Sequence, residues 1–182
     1  RKSTQSKAGA FGGFLPGKVV CLLLTEAPPI QYHGEKRGGD AMEDLDYMKE
    51  ALALAREARE AGEVPVGCVV VWDGQVVGRG RNRREEGRNA LCHAEIEAIN
   101  DACRTLGGWR LWKCTLYVTL EPCPMCAGAM IQARIPRVVF GARDEKFGAC
   151  GSVCDLFGMK FNHHPAMEEG LMAEEAKKLM RE

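Results

Sequence analysis

The chain runs to 182 residues, 46% of them hydrophobic, the size and composition of one ordinary globular domain. Such a domain folds without disulfide or metal staples, and no apolar stretch approaches the roughly 20 residues that a bilayer-spanning helix needs. Lysine and arginine number 25 against 25 aspartates and glutamates, so the basic excess common among nucleic-acid-binding chains is absent. The 9 cysteines are odd in number and scattered through apparent helices and strands, which predicts free thiols in a reducing compartment, the cytoplasm.

The first 41 residues stand apart. Gly12-Gly13, Pro16-Gly17, Pro28-Pro29 and Gly38-Gly39 punctuate them without sustained periodicity, so they are expected to be poorly ordered. The apolar run Val19 to Leu24 is too short for a signal peptide. Arg37-Gly38-Gly39-Asp40 can be encoded by codons that contain a bacterial ribosome-binding sequence, with Met42 at a suitable distance. Met42 is therefore expected to be the natural start and residues 1–41 a translated leader, a reading that the intact mass of the native gene product tests. Without the leader, 19 basic and 22 acidic residues remain, a net charge of −3.

From Asp44 the pattern is regular. Leu45, Met48, Leu52 and Ala55 recur at helical spacing, with Asp44 as the expected N-cap and Gly62 as the stop. Val66 to Val71 reads as a buried strand, Asp73-Gly74 as a hairpin turn, and Gln75 to Asn82 as the returning strand. His93 to Leu106 reads as a helix closed by Gly107-Gly108, Thr115 to Thr119 as a strand, Pro124 to Arg134 as a helix, and Arg137 to Gly141 as a strand. Residues from Ala166 onward read as helical, with Gly170 a weak point. A hairpin followed by alternating helices and strands predicts an α/β fold with a mixed sheet.

Arg79, Arg81, Arg83, Arg84 and Arg88 cluster before His93, and either contact phosphate or form a solvated loop with Glu85 and Glu86. Two motifs follow, each where a loop becomes a helix: His93-Ala94-Glu95 and Pro122-Cys123-Pro124-Met125-Cys126. Cys123 and Cys126 share one face of a first helical turn, where the partial positive charge of the helix favours thiolate, and Pro124 suits a position whose N–H has no partner. One histidine and two cysteines leave a fourth zinc position open for water, which marks a catalytic site. Glu95, two residues past the histidine, stands beside the metal without binding it and can shuttle protons. Cys150 and Cys154 are expected to be thiols outside any metal site, Cys92 a small filler, and His163 and His164 part of a surface turn.

These motifs resemble the His-x-Glu and Pro-Cys-x-x-Cys signature of the cytidine/deoxycytidylate deaminase superfamily, specifically its bacterial tRNA-specific adenosine deaminases. The likeness runs from about Met48 to Lys178. It is carried by Glu63-Val64-Pro65-Val66-Gly67, Asn82-Arg83, His93-Ala94-Glu95-Ile96, Leu116 through Cys123, Met125 through Met130, and Val138 through Asp144. Gly148 to Ser152 and Glu169-Gly170 agree more loosely.

The resemblance implies a three-layer fold, a mixed five-stranded sheet flanked by helices, over a zinc deaminase domain at residues 42–182. It implies one zinc per subunit, a homodimer, and a tRNA anticodon loop as partner, whose wobble adenosine becomes inosine. It also implies attack at adenine C6, with Glu95 protonating N1 and then the leaving ammonia. By the same carry-over Asn82 bonds the nucleoside, Val66, Leu120 and the Ala94 backbone line the base pocket, and Asp144 meets a flanking nucleotide. Read from the residues alone, Asn82 is equally a turn former, and Val66 and Leu120 plain core. Relatives continue the last helix into an aromatic and basic tail, so a chain ending at Glu182 is expected to hold RNA less tightly. The alternative substrate is a free nucleobase or nucleoside (guanine, cytosine or cytidine), and the alternative class a zinc-stabilised scaffold without chemistry.

Overall fold

A computed structural model describes residues 41–182. The expected leader lies outside this range except for Ala41, which opens the first helix. That helix, α1 (Ala41–Glu60), is ended by Gly62 at φ +79°, a conformation glycine adopts without strain. Asp44 does not cap it. Asp44 lies inside α1, where its carboxylate accepts two bonds from the Arg137 guanidinium at 3.0 and 2.6 Å and one from the Tyr117 hydroxyl. The side chain that local sequence offered as a cap is used to tie α1 to the sheet.

Strands β1 (Gly67–Trp72) and β2 (Gln75–Arg81) form the expected hairpin. Asp73 and Gly74 take φ of 49° and 73°, the pair of positive angles that a tight turn between twisted strands requires. A four-residue helix, α2 (Arg84–Gly87), follows within the arginine-rich segment. Then come α3 (Ala94–Leu106), β3 (Cys114–Leu120), α4 (Pro124–Ala133) and β4 (Arg137–Ala142).

The chain end departs from its local signal. Residues expected to be helical from Ala166 begin as strand β5 (Ala166–Glu169), parallel to β4, and only after Gly170 at φ +90° does α5 (Ala173–Arg181) start. Ala, Met and Glu are good helix formers, but this segment finds an open sheet edge. Glu168 also reaches Arg137, and Glu169 reaches Arg143, each across from the strand.

The described residues form one five-stranded mixed sheet, in the order β2-β1-β3-β4-β5. β1 is antiparallel to both β2 and β3, and β3, β4 and β5 run parallel. Period-two alternation splits the strands between two cores. Cys68, Val70, Leu116, Val118, Val138 and Phe140 face α3 and α4, while Val69, Val71, Tyr117 and Val139 face α1 and α5. Helices on both faces give the three layers expected.

Close packing of α3 on β2 depends on Gly80. A Cβ there would lie 2.1 Å from the Ala94 carbonyl oxygen and 2.5 Å from the Ala98 nitrogen. Gly80→Ala is expected to lower stability by about 1–3 kcal/mol through overpacking, measured by urea unfolding. Unchanged or increased stability would show that α3 is not seated through this contact.

Candidate active site

Two helix N-termini meet above the sheet. His93 is the N-cap of α3, and its carbonyl accepts the Glu97 N–H at 3.0 Å. Cys123 is the N-cap of α4, and its carbonyl accepts the Ala127 N–H at 2.9 Å. Neither side chain caps its own helix. They turn to each other instead: His93 Nδ1 lies 3.7 Å from Cys123 Sγ and 3.6 Å from Cys126 Sγ. Pro124 occupies the first turn of α4, which brings Cys126 onto the face of Cys123.

The three donor atoms lie within 4.8 Å of one another, and theirs is the one such His/Cys/Asp/Glu group among the described residues. A tetrahedral zinc, with Zn–N near 2.05 Å and Zn–S near 2.3 Å, requires N···S separations of about 3.6 Å. Both N···S separations therefore match those of zinc ligands, and one imidazole with two thiolates is a donor set that zinc favours. His163 and His164 bond the carbonyls of Ile135 and Phe157, and Cys150 and Cys154 stand outside the cluster.

Charge is arranged to match. A bond from the Cys126 thiol, reinforced by His93 and the Cys126 backbone N–H against the opposing effect of burial, pushes Cys123 down to about 4. Cys126 is the donor in that bond, so its own thiol is held up. His93 is raised, first by its bond to Cys123, with burial working against it. Two positive helix ends and a ready thiolate make the site attractive to a cation. Glu95, in the first turn of α3, is only 4% exposed, and burial pushes its carboxyl up to about 7, with the charge of Cys123 adding to the shift.

The other expected site residues divide. Val66 and Ala94 are buried in the core between the sheet and α3, and Leu120 is partly buried against both cores. Asn82 is not a simple turn residue. Buried at the end of β2, it accepts the Ala94 N–H on its Oδ1 at 2.9 Å and so locks the start of α3 beside His93, which leaves its Nδ2 as the donor group. Asp144 lies on the segment after β4, where its Oδ1 accepts the N–H groups of Lys146 and Phe147 at 2.9 and 3.2 Å. Three of the clustered arginines are engaged by this chain's own carboxylates: Arg79 by Glu50, Arg81 by Glu86, and Arg83 by Glu86 and Glu97. Arg79 and Arg81 stand on β2 rather than in a loop, and Arg83 follows just past its end.

The structural roles of two buried carboxylates were not read from the sequence. Glu63 accepts the N–H groups of Arg84, Glu85 and Glu86 at 2.9–3.0 Å, fixing α2. Glu121 binds the segment after β4. The available signal was a carboxylate within an otherwise apolar stretch just before Pro122-Cys123.

The MafB19-like deaminase family model matches residues 42–179. The chain belongs to this deaminase family. It is 48% identical over 134 residues to a tRNA-specific adenosine deaminase of Bacillus subtilis (strain 168), spanning 73% of this chain and 83% of that one. A solved structure from work on A-to-I editing by tRNA:A34 deaminases at the wobble position of transfer RNA superposes with a TM-score of 0.72 at 45% identity, covering 74% of this chain and 98% of that one. A guanine deaminase of Bacillus subtilis is more distant, with a TM-score of 0.53 at 37% identity over 66% of this chain and 77% of its own. The deaminase fold expected from the resemblance is thus present, including the fifth strand.

Proposed function

We propose that this deaminase hydrolyses adenosine to inosine at the wobble position of a tRNA anticodon loop. It would act as a homodimer in the cytoplasm, with one zinc per subunit held by His93, Cys123 and Cys126. The observation that carries this reading is a three-donor zinc geometry with a buried carboxylate beside it: three ligands leave a position for substrate water, and Glu95 supplies the proton carrier.

When bound, zinc acts as a Lewis acid that brings the acidity of a water towards neutrality. The residues of the chain do the rest. Glu95, poised near 7, takes the proton that the attacking water gives up, delivers it to N1 of the adenine, and passes another to the departing amino group. One water is consumed and one ammonia released. Val66 and Leu120 would contact the base through apolar surface, the Ala94 backbone and the Asn82 Nδ2 would orient it, and Asp144 would meet the next nucleotide. An anticodon loop presents an unpaired base, so extrusion costs less than from a duplex.

The test is inosine formation from a synthetic anticodon stem-loop with a wobble adenosine, set against free adenosine, cytidine and guanine. Inosine from the stem-loop alone supports the proposal. Ammonia from a free base with an inert stem-loop keeps the zinc chemistry and replaces the substrate.

A further inference from the structure

We propose that Glu121 is a positioning residue that clamps the wall of the substrate site, residues 144–152, to the chain immediately before the metal ligand Cys123. The inference rests on the deaminase reading above. Residues 143–149 contain no helix or strand, yet they are held firmly from one side. Glu121 is 2% exposed. Its Oε1 accepts the N–H of Cys150 and the N–H of Ser152, both at 3.0 Å. Its Oε2 accepts the Asp144 N–H at 3.0 Å and the Ser152 hydroxyl. The Ala149 N–H adds a bond to the Pro122 carbonyl at 2.8 Å, and the Glu121 N–H reaches the Ala142 carbonyl, also at 2.8 Å.

All four partners of the carboxylate are neutral donors, and both oxygens receive a backbone N–H. Only an ionised carboxylate satisfies that set. A glutamine presents one oxygen and one NH₂ group, so in either flip a backbone N–H faces another donor. The Ser152 hydroxyl could turn and accept, but the N–H groups of Asp144, or of Cys150 and Ser152, cannot. Gly148 packs so closely on the carboxylate that an added Cβ would lie 2.4 Å from it, leaving no room for a shift.

What the clamp holds includes Asp144, which the proposed function sets against the nucleotide next to the target base. Asp144 organises the turn carrying Lys146 and Phe147, and the Phe147 ring is 67% exposed. An exposed aromatic on a rigid loop is a surface on which an unpaired base can stack. Glu121 therefore acts through Asp144 and Phe147 on substrate binding, while Glu95 on α3 and the metal donors, none of which bonds its carboxylate, keep their geometry.

Glu121→Gln is compared with wild type, with kinetics expressed per zinc-loaded molecule on the anticodon stem-loop. The expected result is a KM about tenfold or more higher with kcat within about threefold, unchanged zinc content, and faster amide exchange at residues 144, 150 and 152. A lower melting temperature with unchanged KM would make the clamp merely structural and overturn the proposal. Should Glu121→Gln fail to fold, Ser152→Ala removes only the hydroxyl donor and is expected to raise KM a smaller amount, about twofold to fivefold. An unchanged KM in that variant overturns the clamp equally. If the wild type is inert on the stem-loop but deaminates a free base, the tRNA reading fails by itself, and the clamp is decided by whether Glu121→Gln speeds amide exchange at residues 144, 150 and 152.

Discussion

Glu95→Gln is expected to keep its fold and its zinc while turnover falls by about 10²–10⁴-fold, the usual weight of a positioned acid–base group. The change is isosteric and leaves all three metal donors, His93, Cys123 and Cys126, in the chain, with a side chain that can still bond the Cys126 sulfur. What it removes is the ability to hold a proton. A carboxyl at the surface is ionised at neutral pH and returns a proton poorly. Burial at 4% exposure pushes the Glu95 carboxyl up to about 7 in the metal-free site, which makes it a better proton carrier than a surface carboxylate. A glutamine at the same place can still donate a hydrogen bond to a base, so binding should survive better than catalysis, with kcat falling more than KM rises. The measurement is inosine formed per zinc-loaded molecule. Turnover equal to wild type would sink the catalytic role of Glu95 and leave a zinc-stabilised scaffold as the better description.

The metal site was legible in the sequence because its information is local. Two helix starts, each announced by a short motif, place His93 and Glu95 on one turn and Cys123 and Cys126 on another. The strands were announced by short runs rich in apolar and β-branched residues, Val66 to Val71, Thr115 to Thr119 and Arg137 to Gly141, each bounded by turn or helix signals. The features that went unread depend on tertiary partners. Ala166 to Glu169 carries helix-forming residues, and only the free edge of β4 turns it into a strand. Asp44 has the chemistry of a cap, and only Arg137 and Tyr117, distant in sequence, redirect it. Glu63 and Glu121 look like ordinary carboxylates until the backbone N–H groups they accept are brought to them from 21 and more residues away. The arginine cluster shows the same limit from the other side. Its charge was visible, but the carboxylates that engage Arg79 and Arg83, on Glu50 and Glu97, lie on helices α1 and α3.

Removing the metal should abolish activity and leave a folded protein. Cys126→Ala deletes one of three donors at a fully buried position, so zinc content is expected to drop below about a tenth of an ion per chain, since two remaining ligands hold the cation far less tightly. Activity should fall to background in proportion. Chelation of the wild type should do the same reversibly, with added zinc restoring turnover. The fold should persist because two extended cores, one on each face of the sheet, are built from strands and helices that do not depend on the metal. The cost should be that of losing a ligand that binds only the native state. With free zinc at 100 to 1,000 times its Kd, that is about 2.7–4.1 kcal/mol, or a melting temperature lower by about 5–15 °C for a domain of this size. Circular dichroism through a thermal melt, with and without chelator, reads both quantities. A cooperative transition that shifts by this amount places the metal in a preformed catalytic site. A transition that vanishes with the metal would make zinc a staple of the fold, and the separation of roles between the three ligands and Glu95 would have to be abandoned.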